Sequence, residues 1–216
     1  MHGLGRIPSR RDARDWTPDR LEAMLSTQIV PVSWLDPVTL DQGETPHCVG
    51  YGCAGFLATA EIAAKSNALI TNADGERIYR EAKAIDGDGE DGSSVRSGAK
   101  ALQKQEAAIA AYAFGSFDQA KKWVDQHGPV IIGIDWTEGM FHPSKKGVIK
   151  PTGENAGGHC LLWRAADVKI GCCRYNILRN SWGSSWGVKG DCYISDKNLK
   201  ELLNYGGEAC MAVRVK

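Results

Sequence analysis

From about Cys48 onward, apolar and small residues recur at helical spacing: Val49, Cys53, Phe56, Ala60 and Ala63 or Ala64 follow one another every three or four positions. That period predicts a helix with one buried face. Residues 74–84 predict a second helix, with an Asp start, a Gly-Asp stop and Ile78 and Ala82 on one face. Residues 94–105 predict a third, with Ser93 or Ser94 as its cap, and 117–126 a fourth that ends at His127-Gly128-Pro129. Beyond that point the period changes. Residues 130–136, 147–150, 158–165, 173–178, 192–195 and 210–215 are short apolar or alternating runs, which predict strands. A helical half followed by a strand-rich half predicts an α+β chain with a cleft at the junction. No internal repeat or low-complexity segment interrupts it.

The helix starting near Cys48 changes the picture from fold to chemistry. The first backbone N–H groups of a helix lack partners inside it, and the helix dipole places partial positive charge there. A thiol at that point is biased towards thiolate, the form that attacks carbonyl carbon. Gln42 lies six residues earlier, inside Asp-Gln-Gly. Gly157-Gly158-His159 opens an apolar run, and Asn180-Ser181-Trp182-Gly183 follows another.

Composition mostly excludes. The chain has 216 residues with 26 basic and 26 acidic side chains, so nothing points to a phosphate-binding surface or a nucleic-acid partner. No apolar run approaches the ~20 residues that span a bilayer, so no membrane partner is expected. The first residues lack the apolar core of a secretory signal, which points to an intracellular, cytoplasmic location. Seven cysteines, two of them adjacent at Cys172-Cys173 and others inside apolar stretches, read as free thiols rather than a disulfide framework. Neither C-x-x-C nor a spaced His pair occurs, so no metal and no cofactor are expected. The acidic run 86–92 has Asp91 where a calcium loop counted from Asp86 needs Gly.

Gln42, Cys48, His159 and Asn180 with Trp182, in this order, resemble the papain-like cysteine proteases over roughly residues 12–216. The resemblance implies a papain-like α+β fold, with a helical half carrying Cys and an antiparallel sheet or barrel carrying His, the cleft between them. It divides the chain into a lead-in arm at 1–30, a mainly helical half at 31–112 and a mainly β half at 113–216. It implies Cys48 as nucleophile and His159 as its imidazolium partner, acid and base. Asn180 would fix the ring's tautomer, with Trp182 covering that bond. Gln42 and the Cys48 backbone N–H would form the oxyanion hole. Gly92, Ser93, Gly133, Gly157 and Gly158, with Trp182, are the implied substrate-binding residues, Ile134 lying beside them. The small residues among them suggest a bulky apolar side chain in the substrate. Arg11-Asp12-Ala13-Arg14-Asp15 resembles the Asp-x-Arg-Asp entry of prokaryotic members, where it lies along the body. The arm is shorter than the inhibitory prodomain of secreted members, so either activity is not zymogen-controlled or control lies outside the chain.

Three departures stand out. Pro46-His47 precedes the nucleophile in place of Gly-Ser, Val49 follows it in place of an aromatic, and Thr45 replaces the second Cys of secreted members. His47 adjoins the nucleophile, but neighbouring helix side chains do not converge, so it is not expected to be the base. Three readings remain: a monomeric thiol peptidase acting on peptide or protein substrates; a transpeptidase, deamidase or cell-wall amidase on the same triad; and a non-catalytic binder.

Overall fold

The computed structural model describes residues 2–24, 38–59, 69–104 and 108–215. Of the expected helical positions, Ala60, Ala63, Ala64 and Gln105 lie outside them.

An extended arm begins the chain and contributes a short strand, β1 (Arg6–Ile7), before helix α1 (Pro18–Glu22). The helical half follows: α2 (Cys48–Ala58), α3 (Asn72–Asp86) and α4 (Val95–Lys104), with the two-residue strand β2 (Ser93–Ser94) leading into α4. Then come β3 (Ile109–Phe114), α5 (Phe117–Gln126) and β4 (Val130–Thr137). The long strand β5 (Asn155–Ile170), then β6 (Cys173–Arg179), β7 (Asp191–Ile194), α6 (Asp196–Asn204) and β8 (Glu208–Arg214) complete it. Six strands form one antiparallel sheet in the order β3-β8-β4-β5-β6-β7.

Strand alternation sorts residues to two cores. Ile132, Ile134, Trp136, Leu161 and Trp163 pack under α5 and α6, whereas Ile131, Cys160 and Leu162 face α2 and α4. Helix α2 is therefore enclosed by the sheet and the other helices, and all 11 of its residues are buried. The sequence pattern predicted one buried face. A helix apolar all round is a central helix, and glycine lets its neighbours close in. A Cβ at Gly50 would lie 2.3 Å from Gly75 O, and one at Gly52 would lie 2.8 Å from Cys160 Sγ.

Helix α5 coincides with its expected span, capped by Ser116 and Gln119 in a reciprocal pair. Residues 147–150, expected as a strand, make one bridge, Val148 to Tyr193. Gly147 turns there at φ +78, which ends any extended run. Strand β3 and helix α6 were not anticipated, and the expected division at 112/113 falls inside β3.

Candidate active site

Cys48 opens α2, and His159 sits in β5, paired in register with Ile134 of β4. Both are fully buried. His159 Nε2 lies 2.7 Å from Asn180 Oδ1, and the same oxygen accepts from the Ser181 backbone N–H at 2.8 Å. A flipped amide would point its NH2 at that N–H, so the bond to Ser181 fixes the Asn180 orientation. With Oδ1 as acceptor, His159 carries its proton on Nε2. Among the described residues its Nδ1 has no hydrogen-bond partner, so a basic lone pair is left available.

Trp182 stacks on the His159 ring at 4.6 Å between centroids, and Trp136 meets that ring edge-on at 5.0 Å. These indoles cover the His159–Asn180 bond from water. Gln42 is held from both ends. Its Oε1 accepts from the Ser181 hydroxyl at 2.6 Å, and its Nε2 donates to Thr45 O at 2.7 Å. The Thr45 hydroxyl donates back to Gln42 O at 2.7 Å, so hydrogen bonds close the turn before α2. All seven cysteines are free. Ser181, which the sequence reading left without a role, ties Asn180 to Gln42 through its backbone and its hydroxyl.

The arm runs through this site. Gln42 Nε2 also donates to Gly3 O at 3.2 Å, and Trp182 Nε1 to the same oxygen at 3.3 Å. Gly3 O thus lies between the Gln42 and Trp182 side-chain donors. Gly3 N–H donates to Gly43 O at 3.1 Å, Gly5 N–H to Gly158 O at 3.0 Å, and Ser93 N–H to Gly5 O at 2.8 Å. Arg6–Ile7 then pairs in parallel with Ser93–Ser94. His2 stacks on Trp182 at 4.6 Å.

Glycines on both sides permit this approach. A Cβ at Gly92, where φ is +87, would stand 2.3 Å from Gly5 O, and one at Gly158 would stand 2.0 Å from Arg6 O. On the arm, a Cβ at Gly3 or Gly5 would lie about 2 Å from the carbonyls of Thr45 or Pro46. Residues 2–9 of the arm thus lie over Gln42, Gly158 and Ser93. Residues 10–16 do follow the body: Arg96 Nε donates to Arg10 O at 2.9 Å, and Arg96 pairs with Asp15.

Of the expected cleft residues, Gly92, Ser93, Gly157, Gly158 and Trp182 all contact the arm or lie within van der Waals range of it, and Gly133 lies under Arg6. Ile134 does not; it is buried in the core under the sheet. Asp86 accepts from the hydroxyls of Ser93 and Ser97 at 2.6 and 2.5 Å, which shapes the 86–92 loop from within.

Burial opposes the expected ionisation. Desolvation pushes the Cys48 thiol up to about 12, against backbone hydrogen bonds that pull it lower. Desolvation also takes the His159 imidazole down to about 4, although the Asn180 bond favours its charged form. Burial thus disfavours the charged form of both groups and opposes the bias from the helix N-terminus. His47 turns away: its Nδ1 sits 2.9 Å from the Glu76 carboxylate and its ring stacks on Tyr79 at 3.8 Å.

The model of the papain family cysteine proteases matches residues 25–210. Cathepsin K of Gallus gallus is 34% identical over 83 residues, 38% of this chain and 24% of that relative's length, so the match spans about a quarter of it. Xylellain, a cysteine protease from Xylella fastidiosa, has a similar fold: TM-score 0.75 at 20% identity, over 100% of this chain and 97% of that one. Procathepsin B S9 from Trypanosoma congolense follows with TM-score 0.63 at 10% identity, over 99% and 87%. A family match that spans Gln42, Cys48, His159 and Asn180, on this fold, makes the chain a member of the papain family of cysteine proteases.

Proposed function

We propose that this chain is an endopeptidase that cleaves peptide bonds through Cys48, His159, Asn180 and Gln42. The observation that carries this reading is the seating of an extended peptide, residues 2–9, across the cleft. Its backbone hydrogen-bonds to Gly43, Gly158 and Ser93, and one of its carbonyls faces Gln42 Nε2. A groove that reads main chain over several residues suits a polypeptide better than a small amide.

The reaction requires the arm to leave. Water then reaches the site, the desolvation of Cys48 and His159 lessens, and His159 Nδ1 takes the thiol proton. Cys48 Sγ attacks the carbonyl carbon of the scissile bond. The carbonyl oxygen becomes an oxyanion held by Gln42 Nε2 and the Cys48 backbone N–H. His159 gives its Nδ1 proton to the departing amine as the C–N bond breaks, leaving a thioester on Cys48. A water then loses a proton to Nδ1 and adds to the thioester carbonyl. The C–S bond breaks and releases the carboxylic product. Asn180 holds the ring throughout, and the indoles of Trp182 and Trp136 keep water off the Nε2 bond.

A reducing, intracellular setting fits the free thiols, above all Cys172 and Cys173, which are exposed with sulfurs 3.4 Å apart. No helix among the described residues is long and apolar enough to cross a membrane. Counting free thiols on the protein drawn from its native cell fraction tests this.

For the activity, an epoxide-type thiol-protease inhibitor read by intact mass is expected to add once. The adduct is expected to vanish in Cys48→Ala and His159→Ala. Hydrolysed peptide as the product supports the endopeptidase; ligated or deamidated product overturns it in favour of the transferase reading.

A further inference from the structure

The arm's Arg6 is enclosed in the cleft, its side chain 1% exposed. Its aliphatic stem lies on Gly133, where a Cβ would come within 2.8 Å of Arg6 Nε and 2.7 Å of Val95 Cγ2. Gly158 flanks it, its own Cβ position 3.1 Å from Arg6 Cδ. Any larger residue at 133 would fill this space, so the glycine opens a pocket rather than loosening a strand.

The end of the pocket is acidic. Arg6 Nη2 bonds Glu208 Oε2 at 2.9 Å and Gly206 O at 2.8 Å, and Nη1 lies 3.6 Å from Asp135 Oδ1. Glu208 starts β8, paired in register with Gly133, and Asp135 follows two residues along β4. The other oxygen of Glu208 accepts from the Ser9 N–H at 2.9 Å. The body therefore brings two carboxylates and a carbonyl to one pocket, and the charge that balances them belongs to the arm. With the arm gone, Glu208 and Asp135 would share the pocket without the cation that now lies between them, a state that another cation would relieve.

We propose that this pocket, formed by Gly133, Val95 and Gly158 and closed by Glu208 with Asp135, selects an arginine or lysine side chain of the substrate, and that Arg6 is its tethered competitor. The inference rests on the endopeptidase reading and adds the side-chain preference to it. It replaces the bulky apolar preference expected from the small residues alone, which did not include Glu208. A planar guanidinium suits the site best, since it reaches Glu208 Oε2 and Gly206 O from one nitrogen and Asp135 from another.

The test is a positional-scanning peptide library hydrolysed by the full chain, by Arg6→Ala and by Glu208→Gln, together with inhibition of Arg6→Ala by synthetic HGLGRIPS and by HGLGAIPS. At one library position arginine and lysine are expected to exceed leucine roughly tenfold or more in kcat/KM, and Glu208→Gln is expected to narrow that ratio by about the same factor. Arg6→Ala is expected to lower KM for arginine substrates. HGLGAIPS is expected to inhibit about tenfold more weakly than HGLGRIPS or worse, a reading of the pocket that leaves Glu208 untouched should its variant fail to fold. Leucine or phenylalanine preferred over arginine, or equal inhibition by the two peptides, overturns the proposal. If no peptide is cleaved and no Cys48 adduct forms, the endopeptidase reading fails. Fluorescence-polarisation binding of dye-labelled HGLGRIPS and HGLGAIPS to Arg6→Ala then still decides the pocket, equal affinities overturning it.

Discussion

The Ser181 hydroxyl donates to Gln42 Oε1 at 2.6 Å, while its backbone N–H donates to Asn180 Oδ1 at 2.8 Å. One residue thereby orients both amides of the site. Gln42 can present Nε2 to a carbonyl only because its oxygen is engaged elsewhere, and Asn180 can present Oδ1 to His159 only in one flip state. Ser181→Ala leaves Gln42 Oε1 buried without that donor, a loss of roughly 1–3 kcal/mol. The expected outcome is a fall in kcat of about tenfold or more with KM little changed, since the oxyanion is bound only in the transition state. Steady-state kinetics measures it. A change confined to KM would contradict the assignment.

The arm can be loosened from its own side. Gly5→Ala places a methyl group near 2.0 Å from Pro46 O. Overpacking of this kind costs roughly 1–3 kcal/mol, so the open form should rise about tenfold or more. Alkylation of Cys48 by iodoacetamide is expected to accelerate in proportion, and peptide hydrolysis with it. An unchanged labelling rate would mean that the arm does not control access.

Gly92→Ala tests the same contact from the body. Its φ of +87 is strained for alanine, and its Cβ would meet Gly5 O at 2.3 Å. Stability in urea should fall by about 1–2 kcal/mol, yet thiol labelling should rise. Loss of stability without faster labelling would leave Gly92 a turn residue alone.

His47 and His159 are separable by kinetics. Because His47 Nδ1 is committed to Glu76 at 2.9 Å, His47→Gln is expected to change kcat/KM by less than about threefold. His159→Gln is expected to remove activity to the limit of detection. A large loss in His47→Gln at unchanged stability would reopen the identity of the base.

The two buried titrating groups set opposite limbs of a stability profile. Burial lowers His159 from 6.5 to about 4, so between those values the unfolded chain binds a proton that the closed form refuses. Stability is therefore lost as pH falls from about 6.5 towards 4. Cys48 rises from 9.0 to about 12, so the unfolded chain releases a proton that the closed form keeps, and stability is lost as pH rises above 9. Urea midpoints at pH 5, 7 and 10 should peak at 7. The acid limb should flatten in His159→Gln, and an identical acid limb there would assign it to other groups.

How much of this was legible without coordinates differs from residue to residue. Helix α5 was visible in full because its Ser-x-x-Gln cap and apolar period are both local. Helix α6 was not, although Ser195 caps it as well, because the strand before it runs into the same serine. The long strand β5 was seen in its apolar middle, 158–165. Its flanks carry polar and glycine residues that pair only because β4 and β6 lie alongside.

The order and spacing of Gln42, Cys48, His159 and Asn180 were readable from the chain alone, because nucleophile, base and oxyanion donor must be particular residue types. Their ionisation was not. A helix N-terminus favours thiolate, but the opposing term is burial, which depends on what lies across the cleft. The arm's sequence, HGLGRIPS, shows only that it is flexible, carries one cation and has too few apolar residues for a core. That its glycines match Gly92 and Gly158, and that Arg6 meets Glu208 from 202 residues away, follows from tertiary packing. Local pattern determines which groups can react. Only long-range contacts decide which of them are covered, which are charged, and which acidic residues close the pocket.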